Sequence, residues 1–168
     1  MNLLQTIRAI EGVAASQPAV SAIVRNDVYR LNAWPAAKYG TFAWLQNEHT
    51  SDQDDDFLHF NFTFFYVDRL TENKGNEVEI QSTGIEVLGN ILRELDALNI
   101  FPGAHTFRSF NERFSDECAG VFCNVTLDVL KDSLCGWDYY PNTDAVPIWD
   151  ADAKVWNWKI GNKETQVI

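Results

Sequence analysis

Apolar and polar residues alternate through FLHFNFTFFYVDRL, residues 57 to 70, with a period of two. Phe60, Phe62, Phe64 and Tyr66 fall on one side of the chain, and Asn61, Thr63, Phe65 and Val67 on the other. That period belongs to a β-strand with one strongly buried side. Each buried phenylalanine contributes roughly 1.5–3 kcal/mol, so the strand is a wall of the core. A different period follows the polar turn TENKGNE. Ile80, Gly84, Val87, Leu88, Ile91, Leu95 and Leu98 recur at three- and four-residue steps, which is one face of a helix. Asn76 with Glu79 offers a capping box at its start, and Asn99 with Pro102-Gly103 a stop.

The remaining pattern fills in around these two elements. Leu3, Ile7, Ile10 and Ala14, with Arg8 and Glu11 between them, predict a short amphipathic helix that Pro18 ends. Residues 20 to 30 and 39 to 47 are rich in β-branched and aromatic side chains, and the Trp34-Pro35 turn separates them, so both are expected strands. HTFRSF, residues 105 to 110, is a further short strand. VFCNVTLDV alternates again, with Val121, Cys123, Val125, Leu127 and Val129 inward. The order α-β-β-β-α-β-β describes an α+β domain, an antiparallel sheet with two helices packed on one face. It spans residues 1–134. Residues 135–168 form an appended aromatic hairpin or arm, in which PIWDADAKVWNWKI makes two short strands joined by a turn from Asp150 to Lys154.

Composition narrows the setting. The chain has 168 residues, 46 % of them apolar, enough for one compact core. Its 24 acidic residues against 13 basic ones leave a formal charge of −11, which repels a phosphate backbone unless the bases are gathered on one face. Three cysteines, Cys118, Cys123 and Cys135, are too few for a disulfide scaffold and are expected as free thiols in a reducing compartment. No run of eighteen apolar residues occurs, and the first residues lack a leader pattern, so synthesis in a cytoplasm without membrane insertion is expected.

Motifs for chemistry are sparse. Asp52, Asp54 and Asp56 take the first, third and fifth places of a calcium loop, but Phe57 and Thr63 stand where glycine and a bidentate glutamate are required. A solvated acidic loop is the better reading. The cysteine spacings fit no zinc pattern, and His49, His59 and His105 lie apart from them. Phosphate-cradling glycine loops, nucleophile elbows and dinucleotide fingerprints are missing, so no catalytic residue, metal or cofactor is expected. Two sequons, Asn61-Phe62-Thr63 and Asn124-Val125-Thr126, sit inside expected strands and do not signal glycosylation.

The C-terminal segment carries four of the six tryptophans. Tyr139, Tyr140, Trp149, Trp156 and Trp158 suit three uses: stacking on sugars, anchoring to a neighbouring protein, or folding back on their own sheet. A carbohydrate-binding module is therefore an alternative function, and a metal-dependent hydrolase built on the 52–56 acids a weaker one.

FTFFYVDRL, NEVEIQSTGIEVLGNILREL and FNERFSDECAGVFCNVTLDVL, taken together over residues 57 to 135, resemble small virion proteins of tailed bacteriophages. These are tail-terminator or tail-completion proteins and the head–tail ring proteins of crAss-like phages. The resemblance rests on Val67-Asp68-Arg69-Leu70, on Ile80-Gln81-Ser82, and on Phe114-Ser115-Asp116 through Ala119-Gly120-Val121. It implies a non-enzymatic subunit of a closed homo-oligomeric ring, sixfold or twelvefold, in the virion at the head–tail junction. Portal, connector or tail proteins flank such a ring, and DNA passes through it without specific binding. The arm from about residue 136 lies outside the resemblance; in such a ring Asp68, Arg69 and Gly75 are expected interface elements, and Tyr139, Tyr140, Trp149, Trp156 and Trp158 expected docking anchors.

Overall fold

The computed structural model describes residues 3–26, 40–50, 56–111, 118–130, 145–150, 155–160 and 163–167, with backbone alone for residues 49–50 and from 145 onward. In chain order the elements are α1 (Leu3–Ser16), β1 (Ala22–Arg25), β2 (Thr41–Thr50), β3 (Phe57–Arg69), α2 (Glu77–Ala97), β4 (Ile100–Pro102), β5 (Arg108–Asn111), β6 (Cys118–Leu130), β7 (Ala145–Asp150), β8 (Val155–Ile160) and β9 (Lys163–Val167). The class is α+β, and the strands form one sheet in the order β4-β6-β3-β2-β1-β9-β8-β7, with β5 also paired to β6.

The long pair β3 and β6 is the spine, antiparallel and in register from Phe57 opposite Leu130 to Arg69 opposite Cys118. β2 adds to it antiparallel, with a bulge between Gln46 and Glu48. The sheet as a whole is mixed, which corrects the expectation of an antiparallel one: β1 runs parallel to β2 on one side and to β9 on the other. A parallel neighbour needs a crossover, and the chain between β1 and β2 is long enough to supply one. β7, β8 and β9 form an antiparallel meander that extends the same sheet through β9. The expected boundary between residues 134 and 135 lies outside the described residues.

The two described helices pack on the same face. The aromatic row Phe60, Phe62, Phe64 and Tyr66 packs with Phe42 and Trp44 of β2 and Val121, Cys123, Val125 and Leu127 of β6 beneath Ile10, Val13, Leu88, Ile91 and Leu95. Edge-to-face contacts join Phe42 to Phe64 and Trp44 to Phe62, the arrangement that ring quadrupoles favour. Gly84 sets the closeness of α2, because a Cβ there would stand 3.0 Å from Val121 and 3.1 Å from Tyr66. Gln17 at the end of α1 donates to the Glu94 carboxylate of α2 at 3.0 Å and ties the two helices.

Two local expectations change and a third holds. Glu11 is fully buried, not on the wet side of α1; Arg25 holds it through Nε and, at 2.6 Å, through Nη2, and the Trp44 indole donates to it at 3.3 Å. A buried carboxylate needs such partners, and β1 and β2 bring them. Asn76 makes no side-chain cap on α2, because its carboxamide instead donates to the Arg69 carbonyl at 3.0 Å and accepts from Thr71 N–H at 2.9 Å. It closes the turn rather than the helix. Asn99 ends α2 in the left-handed region, at φ 59°, as a stop residue should.

Candidate recognition surface

Among the described residues, no helix lies on the other face of the sheet. Reading across β2, β3 and β6, its side chains fall into three zones. At one end Phe65, Val67, Ala43, Val24, Phe110 and Cys118 are buried in a second apolar cluster, with Phe122 packed against it. Phe65 and Phe122 are direct cross-strand partners and lie near parallel, ring centroids 5.8 Å apart. At the other end Phe57 meets Phe101 edge-on at 6.1 Å beside Leu130, and Phe101 and Leu130 stay 36 % and 38 % exposed.

A polar lane separates the two. Asn47, the bulged residue of β2, donates to Thr63 Oγ1 at 2.9 Å, and the Thr63 hydroxyl donates to Asn124 Oδ1 at 2.8 Å. One step along, the Thr126 hydroxyl donates to Asn61 Oδ1 at 2.6 Å. The two sequons thus have a structural meaning. Antiparallel register sets each Asn-X-Thr against the other, Asn61 opposite Thr126 and Thr63 opposite Asn124, so each threonine serves the opposite asparagine. His59 Nδ1 lies 2.6 Å from Asp128 Oδ1 and completes the lane.

The β6 edge carries a second feature. β4 pairs Pro102 with Leu127, and β5 pairs Arg108 with Phe122, so six steps along one side face five along β6. The surplus residue bows the segment 103–107 into an arch, pinned at one end by Gly103 N–H to Thr126 O at 2.8 Å. Under it lies a cavity of about 250 Å³ lined by Ala104, His105, Thr106, Arg108, Phe122 and Asn124. The expected strand at 105–110 accordingly begins only at Arg108, and His105 belongs to the arch. Neither the lane nor the arch was singled out from sequence, although the paired Asn-X-Thr triplets were a visible signal.

The expected interface residues fall in two places. Asp68 is half-buried at the end of β3, and burial raises its carboxyl above the usual 3.8, although it accepts from the backbone of Arg69 at 2.7 Å and of Gly40 and from Tyr66. Burial likewise pushes the Tyr66 phenol up to about 12, with the Asp68 charge adding to the effect. Arg69 and Gly75 are exposed, and Asn76 links the Arg69 carbonyl to the turn that holds Gly75. Trp149 and Trp156 are directly opposed on β7 and β8, and Trp158 faces Pro147. Strands β2, β1 and β9 separate β8 from β3, and β8 itself lies between these and β7, so the two groups are not brought together within one chain. Tyr139 and Tyr140 lie outside the described residues, as do Cys135, Asp52 and Asp54.

Cys123 is fully buried on the helix side, where burial pushes its thiol up to about 12 and leaves it a small apolar filler. Neither Cys118 nor Cys123 is in a disulfide among the described residues. Among the described residues no three His, Cys, Asp or Glu side chains gather to hold a metal ion, and no helix is long and apolar enough to cross a membrane. Compared with protein-family models and with curated proteins, the chain matches none.

Proposed function

We propose that the chain is a non-enzymatic assembly subunit, a structural protein of a tailed-bacteriophage virion that forms a homo-oligomeric ring at the head–tail junction. The observation that carries the reading is the helix-free sheet face, apolar at both ends, with Phe101 and Leu130 open to water at one of them. Exposed aromatic and aliphatic side chains bordered by polar groups are what a protein–protein contact offers. The segment whose sequence resembles tail-terminator and ring proteins supplies both central strands of that face. Ring closure requires two different patches on the subunit, and at least three strands intervene between the turn at Asp68, Arg69 and Gly75 and the tryptophan positions of β7 and β8. A charge of −11 suits a conduit wall that must not hold passing DNA.

Electron microscopy with native mass measurement of the purified protein, alone and with portal, connector and tail proteins, tests this. Closed rings of defined copy number support it. A persistent monomer that binds glycans would replace it with the carbohydrate-binding alternative.

A further inference from the structure

We propose that the arch pocket on the β6 edge is a binding site for a small carboxylate. Thr126 O accepts from Gly103 and so points to the β4 edge, and Asn124, two residues away, points its main-chain N–H and C=O the same way. β4 ends opposite Leu127 and β5 starts opposite Phe122, so the arch bows away where Asn124 would have found a strand partner. The one-residue surplus thereby turns a main-chain donor toward the cavity.

The side chains around it are donors too. Asn124 Oδ1 is engaged by the Thr63 hydroxyl, which leaves the Nδ2 amide as its outward group. Thr106 brings a hydroxyl, and Arg108 a guanidinium that makes no ion pair among the described residues. His105 Nδ1 donates to the Gly103 carbonyl at 2.9 Å and so braces the arch. One fixed positive charge ringed by N–H and O–H donors selects an anion, and a guanidinium selects a planar carboxylate by its fork geometry. In a chain of charge −11, such a lining stands against the prevailing sign. The pocket, open to solvent, has a volume of about 250 Å³, room for a ligand of about the size of benzoate. The carboxylate has two sources, a free small molecule or an acidic side chain of another copy of this chain.

Benzoate is the probe and benzamide its uncharged counterpart, each titrated into the isotope-labelled full chain while backbone amide resonances are followed. Saturable benzoate shifts centred on residues 104–108 and 122–124, at least tenfold weaker with benzamide, are expected. Arg108→Gln, an exposed position, weakens benzoate binding about tenfold, the value of one charge-assisted contact. Thr106→Val weakens it less. Equal response to the two probes, shifts elsewhere, or unchanged affinity in a folded Arg108→Gln protein overturns the proposal. Dilution of the ligand-free protein separates the sources: arch resonances that move with concentration, and stop moving in Arg108→Gln, assign the carboxylate to a second copy. Stationary ones assign it to a small molecule. A monomer that binds benzoate under the arch removes the ring reading and keeps this one, and a ring that ignores benzoate and assembles unchanged in Arg108→Gln does the reverse.

Discussion

The two faces of strand β3 differ by one residue in phase and by nearly everything else. Phe62 and Phe64 lie at 0 % exposure under two helices, while Thr63 between them spends its hydroxyl on a hydrogen-bonded lane. Here one face is packed by area and shape, whereas the other, in the lane between its two apolar ends, is held by cross-strand pairs worth only a few tenths of a kcal/mol to about 1 each. A face held together that weakly inside the subunit can be reshaped by selection for contacts outside it, whereas the aromatic wall cannot.

The contrast breaks most visibly in truncation. Phe62→Ala is expected to cost about 3–5 kcal/mol in urea unfolding, against about 1 kcal/mol or less for Thr63→Ala. Comparable losses at both positions would mean that the lane is a second core. Next in size is Arg25→Ala, which strands the Glu11 carboxylate beneath α1. It should cost about 3 kcal/mol, the low end for a broken buried pair, since Arg25 itself keeps 38 % of its side chain in water. Glu11→Gln with Arg25 intact should lose less, because an amide oxygen still accepts from Trp44.

Two glycines of α2 sharpen the comparison within a single helix. Gly84→Ala pushes a methyl into Val121 and Tyr66 and is expected to destabilise by about 1–3 kcal/mol. Gly89 has nothing within 4 Å of an added Cβ, so Gly89→Ala should stabilise by about 0.5–1 kcal/mol through helix propensity alone. Thermal unfolding of the pair reads the difference, and equal signs would contradict the placement of α2.

The smallest effect belongs to Asp68. Its folded pKa lies above the ordinary 3.8 because of burial, so the folded state holds the proton more tightly than the unfolded chain. Stability from this group is therefore complete below pH 3.8 and falls as pH climbs through the raised value. Asp68→Asn keeps an acceptor for the Arg69 and Gly40 N–H groups and removes the charge. Melting curves across that window should show the variant flatter with pH and relatively more stable at neutrality. A variant that tracks the parent protein at every pH would place the carboxylate in water.

Much of this was legible in the chain. The period of two from Phe60 to Tyr66, the matching inward set of β6, and the helical stripe from Ile80 to Leu95 each bury one side, and burial writes a strong period into sequence. Glu11 was misread because a buried carboxylate looks like a solvent-facing one until its arginine, fourteen positions on, is placed. The parallel pairing of β1 was hidden because strand direction depends on the crossover, not on the four residues Ala22 to Arg25. Asn76 follows the capping pattern, yet the turn from Arg69 to Thr71 competes for the same side chain and holds it. The arch escaped notice for a different reason: a one-residue surplus between β4 and β5 exists only relative to β6, and no local pattern records it.

The central claim is that the helix-free face meets other copies of the chain. Sedimentation velocity over a wide concentration range, comparing the parent protein with Phe101→Lys/Leu130→Lys, tests it most directly, since both side chains are already more than a third exposed. Concentration-dependent assembly in the parent and its loss in the variant are expected, with equal unfolding midpoints at dilutions where both are monomeric. A parent protein that sediments as a monomer throughout, or a variant that assembles equally well, contradicts it.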